Sequence, residues 1–101
     1  MQQKNRNANQ RTQTHTVIPR TTLAKVNNES DLLDVCMYHY WKLHPNDSKR
    51  KQFAAALGVS EQRLSQYLTR AKMDGLDWLK IERLMKQRVH REWLDIQWEN
   101  A

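Results

Sequence analysis

The 101-residue sequence predicts an all-α fold: about four helices, the last of them long, behind a disordered basic N-terminal arm. Three observations carry this. Residues 30–101 contain one proline, two glycines and no alternating apolar–polar run of strand length. Apolar residues in that span recur at three- and four-residue spacing, the period of one helix face. Side chains able to cap a helix stand before the first three of these stretches.

The arm is assigned to residues 1–27. Within residues 1–16 only Met1 and Ala8 are apolar. Such a segment cannot bury enough surface to offset roughly 1–2 kcal/mol of backbone ordering entropy per residue. Residues 17–28 are ambiguous, since Val17, Ile18, Leu23 and Val26 could dock on the domain while Pro19 argues against a helix. Ser30 is the expected cap of the first helix, which carries Leu32, Leu33, Cys36, Met37, Tyr40 and Trp41 on one face. Pro45 ends it. Asp47 or Ser48 then caps a second helix that stops at Gly58, and Ser60 caps a third. Residues 28–73 form the expected domain and residues 74–101 a C-terminal helix of up to about 24 residues from Leu76. On that helix Trp78, Ile81, Met85, Val89, Trp93 and Ile96 make one continuous apolar stripe.

Charge and composition narrow the function. Lys and Arg number 17 against 11 Asp and Glu, a net charge of +6. Five of the basic residues, and no acid, lie in residues 1–27, so most of the surplus sits in the arm. Within the domain, residues 42–72 hold seven basic residues against Asp47 and Glu61 alone. A polyanionic partner is expected from this balance. No apolar run approaches the ~18 residues of a membrane span, and the first twenty residues have no apolar stretch of a secretory signal. The single cysteine, Cys36, excludes an intramolecular disulfide and suits the reducing cytoplasm.

The most informative pattern runs from Phe53 to Leu68. Two helices meeting through a three- or four-residue turn need a small residue at their close approach, which Ala54 supplies. Gly58 can take the positive φ of a tight helix end, Val59 packs inward, and Ser60 caps the next helix. Leu64, Tyr67 and Leu68 then face inward.

Ala54, Gly58 and Leu64, with Val59, Ser60 and Ser65 between and after them, resemble the helix-turn-helix of the lambda-repressor and Cro-like family of phage, plasmid and bacterial regulators. The resemblance covers about 25 residues, from Lys49 to Met73. It implies that the helix after Ser60 enters the major groove with its N-terminal end toward the bases. Glu61, Gln62, Ser65 and Gln66 then fall at base-contacting positions, where glutamine can pair with adenine and glutamate accept from cytosine. Lys49, Arg50, Lys51, Arg63, Thr69, Arg70 and Lys72 are the expected phosphate contacts. For Arg6 and Arg11 the arm suggests minor-groove insertion. A solubilising extension and a protein-binding peptide are the competing readings of the same tail.

The C-terminal stripe, Trp78, Ile81, Met85, Val89, Trp93 and Ile96, is the expected homodimer surface. Leu84, Leu94 and Trp98 lie off it, and packing of the last helix on its own domain is the alternative. Cys36, His39, His44 and His90 lack the paired short spacing of a zinc site. No nucleophile triad or phosphate-cradling glycine loop is present, so neither a metal, a cofactor nor an enzyme is expected. The expected function is sequence-specific double-stranded DNA binding by a dimeric regulator of a phage, plasmid or mobile element, repressing rather than activating. The alternative is a protein-binding adaptor, inhibitor or antitoxin that uses the helical domain or the tail.

Overall fold

A computed structural model of the chain describes residues 17–43, 45–69 and 76–100. The fold is all-α, with α1 (Arg20–Leu23), α2 (Glu29–Leu43), α3 (Lys49–Leu57), α4 (Glu61–Leu68), α5 (Trp78–Met85) and α6 (Val89–Glu99). Helices α2, α3 and α4 pack pairwise; α5 rests on α3 and α6, and α1 rests on α6. Their shared core centres on Leu32, Leu33, Cys36, Phe53, Leu64, Ile81 and Val89, all essentially without solvent contact.

The packed body begins ten residues or more before the boundary at residue 28 that composition predicts. Ile18, Leu23 and Val26 are buried. Pro19 does not prevent a helix here but starts one. It sits at the N-cap of α1 with φ −63°, where no backbone N–H is needed, and its carbonyl accepts from Thr22 and Leu23. The Gln87 side-chain amide then holds Ile18 by both backbone groups. It accepts from the Ile18 N–H at 2.7 Å and donates to the Ile18 carbonyl at 3.0 Å. Further along, the Val26 carbonyl accepts from Trp93 Nε1 at 3.0 Å.

Helix α2 is capped by Asn28, whose Oδ1 accepts from the Asp31 N–H at 2.9 Å, two residues earlier than Ser30 would place it. Ser30 is instead buried and donates its hydroxyl to the Leu68 carbonyl, fastening α2 to the end of α4. Burial pushes the Cys36 thiol up to about 12, and the Glu82 charge adds to this, so the group stays a neutral packing element.

The long C-terminal helix is two helices. Asp77 caps α5 through the Leu79 and Lys80 amides, and α5 ends where Lys86 turns left-handed at φ 57°. Buried Glu82 then reaches across the break and caps α6: its Oε2 accepts from the His90 and Arg91 amides at 3.1 and 3.3 Å. The apolar spacing runs through the break without a change of phase, because Met85 and Val89 both reach the same core from different helices. Periodicity alone cannot register such a turn.

Candidate nucleic-acid interface

The α3–turn–α4 unit is built locally. Ser48 Oγ accepts from the Lys51 N–H at 3.2 Å and starts α3. Gly58 ends it in the left-handed region, φ 77° and ψ 29°. The Gly58 N–H donates to the Ala55 carbonyl at 3.2 Å and the Val59 N–H to the Ala54 carbonyl at 3.0 Å. These two bonds close the helix end and reverse the chain. Ser60 Oγ accepts from the Arg63 N–H at 3.0 Å and opens α4 directly. Ala54, Leu64 and Tyr67 are buried where the two helices meet the core, and Val59 and Leu68 pack at its edge.

This packing decides what α4 presents. Glu61, Gln62 and Arg63 are exposed on its first turn, while Ser65 and Gln66 are half-buried on its second. The four predicted base-contacting positions therefore share one helix but not one degree of access. Arg63 lies back along its own helix, with Nε donating to Tyr67 Oη at 3.1 Å and Cζ 5.7 Å from that ring. Thr69 is exposed, and its hydroxyl is already used, donating to the Gln66 carbonyl at 3.0 Å at the end of α4.

Lys49, Arg50 and Lys51 are exposed on the first turn of α3. They are not equivalent. Lys51 Nζ stands 3.4 Å from Asp47 Oδ2, so part of its charge is answered within the chain. The Ser48 amide, which donates to Asp47 at 2.8 Å, holds that carboxyl below the usual carboxylate range, and Lys51 reinforces it. Lys49 and Arg50 make no ion pair among the described residues, and Lys49 points over the rings of Tyr38 and Trp41 at 5.4 and 6.0 Å.

Arg6, Arg11, Arg70 and Lys72 lie outside the described residues. So does His44. No group of three or more His, Cys, Asp or Glu side chains able to hold a metal occurs among the described residues, and no helix there is long and apolar enough to cross a membrane.

The predicted dimer stripe is not a free surface. Ile81, Met85, Val89, Trp93 and Ile96 are buried in the chain's own core. Trp78 covers the imidazole of His90, with the rings parallel and their centroids 4.5 Å apart. The face left open on α6 is Leu94 with Trp98, the latter 82% exposed. Two residues at the candidate interface escape sequence inspection, Tyr38 and Lys42. Their i,i+4 spacing on α2 is visible in the sequence, but their proximity to Lys49 is not.

No family model, curated protein or solved structure matches this chain. A capped helix offers Glu61 and Gln62 at its N-terminal end, and a neighbouring helix offers unpaired cations on its first turn. This is a surface suited to reading a polar edge while gripping an anionic backbone.

Proposed function

We propose that the chain binds double-stranded DNA sequence-specifically through α3 and α4, and that it acts as a dimeric transcriptional regulator of the kind carried by phage, plasmids and mobile elements. The observation carrying this reading is the pair of successive caps. Left-handed Gly58 and then Ser60 expose Glu61 and Gln62 at the start of α4, beside the basic first turn of α3. Gln62 and Gln66 read base edges; Lys49 and Arg50 hold phosphates; the function is binding in the cytoplasm rather than catalysis. Occupancy of a promoter excludes polymerase, so the outcome is repression.

A dimer places two α4 helices in successive major grooves, about 34–36 Å apart on a two-fold operator. Since the apolar stripe is buried, the second copy meets Leu94 and Trp98 on α6. A protein partner for that same open face, or for the N-terminal tail, is the second reading, favoured by the exposure of Trp98. Removing residues 1–16 separates tail from domain, whereas a cut at residue 27 would also strip Ile18, Leu23 and Val26 from the core.

The test is selection from a pool of random duplexes, with the bound fraction sequenced. Enrichment of a two-fold symmetric motif is expected. Gln62→Ala then weakens binding to that motif by about 1–3 kcal/mol and leaves binding to random duplex nearly unchanged. Weak binding with no enriched motif, or equal losses on both DNAs, removes base reading from α4.

A further inference from the structure

The contacts around Tyr38 extend the candidate surface beyond the helix-turn-helix. Lys42 Nζ lies 5.5 Å from the centre of the Tyr38 ring and Lys49 Nζ 5.4 Å from it. Lys42 comes from the C-terminal end of α2 and Lys49 from the first turn of α3, so one aromatic ring gathers two ammonium groups from different helices. Neither lysine has an ion pair or hydrogen bond among the described residues.

The neighbour of that ring, Trp41, is held. Trp41 lies 6.4 Å from Tyr38, and its Nε1 donates to the Asp47 carbonyl at 2.7 Å. From the other side Gln52 Oε1 accepts from the Asn46 and Asp47 amides at 3.2 and 3.3 Å. The turn between α2 and α3 is thereby tied to both helices, and the separation of Lys42 from Lys49 is set by the fold. Of the acids nearby in sequence, Asp34 stands four residues before Tyr38 on α2, and Asp47 is engaged by the Ser48 amide and by Lys51. Burial first and Lys42 second hold His39 below its ordinary value, which disfavours a further charge beside Lys42.

We infer that Tyr38, Lys42 and Lys49 form a second backbone grip, in which two lysines on one aromatic support hold adjacent phosphates of duplex DNA. Two like charges gathered on one ring, with no ion pair to either among the described residues, create a local potential that an anion relieves. The ring lowers the conformational freedom each lysine loses on contact, and its exposed part offers an apolar surface to a deoxyribose. The turn at residues 45–48 thus joins two phosphate contacts on α2 and α3, while α4 reads bases. This rests on the DNA-binding reading proposed above.

The experiment is fluorescence anisotropy of the full chain with a labelled random-sequence duplex, titrated with KCl. Lys42→Ala is expected to reduce the slope of log affinity against log salt by about 0.9, the value for one lost phosphate contact on B-DNA. Lys42→Arg retains the slope. Tyr38→Phe, which keeps the ring, retains wild-type affinity, and Tyr38→Ala weakens binding several-fold. Arg83→Ala removes the same charge from an exposed position on α5 and serves as the control. If Lys42→Ala only matches that control while Arg50→Ala lowers the slope, the α2 grip is wrong and DNA binding by α3 stands. If the wild-type chain shows no salt-dependent binding, both readings fall.

Discussion

Among the described residues the chain reverses direction twice through a left-handed residue, at Gly58 between α3 and α4 and at Lys86 between α5 and α6. The backbone solution is the same. At the first, the Gly58 and Val59 amides bond to Ala55 and Ala54; at the second, the Lys86 and Gln87 amides bond to Arg83 and Glu82. What differs is the support. Gly58 adopts the conformation at no side-chain cost, and Ser60 caps the helix that follows from within its own sequence. Lys86 carries a Cβ into a region that costs roughly 1–2 kcal/mol for an ordinary residue. Its turn is held from outside by Glu82 capping α6 and by Gln87 gripping Ile18. One junction is written locally; the other is imposed by the fold.

The largest expected effect tests the imposed junction. Glu82→Ala leaves the His90 and Arg91 amides without their buried acceptor and removes the tie across the break. A loss of about 2 kcal/mol in urea unfolding is expected. A loss below about 0.5 kcal/mol would mean that the packing of Val89 and Met85 alone sets the turn. At the local junction, Gly58→Ala meets no atom within 4 Å of the added Cβ, so only the backbone conformation resists it. About 1 kcal/mol is expected from the left-handed cost, and a null result would remove the constraint assigned to that glycine. The smallest effect has the opposite sign. Lys86→Gly should stabilise by about 0.5 kcal/mol, the relief of the left-handed residue less the greater freedom of glycine in the unfolded chain. A fall in the melting temperature would show that the Lys86 side chain contributes something its exposure does not indicate.

The contrast extends to the two surfaces. Among the described residues the α3–α4 half leaves unpaired at its rim the cations of Lys49 and Arg50, the Glu61 carboxylate and the Gln62 amide. In the α5–α6 half, polar groups are joined to others of the chain: Arg91 lies 3.6 Å from Glu82, Arg20 pairs with Glu99, and His90 Nε2 is 2.7 Å from Glu29. Polar groups answered within the chain hold the fold, and those left open are available to a partner.

Much of this is legible before any coordinates. The caps Ser48 and Ser60, the left-handed Gly58 and the inward faces of α2 and α4 follow from residues a few positions apart, because a helix end is closed by hydrogen bonds that span three to five residues. The exposed Lys49, Arg50, Glu61 and Gln62 follow from the same phase. Four things were decided only by tertiary contact. These are the docking of Ile18 through Gln87, the division of the C-terminal helix at Lys86, the burial of its apolar stripe in the chain's own core, and the meeting of Lys42 with Lys49 over Tyr38. Each depends on which groups from distant parts of the chain share a space, and apolar spacing marks only that a residue is buried, not what buries it.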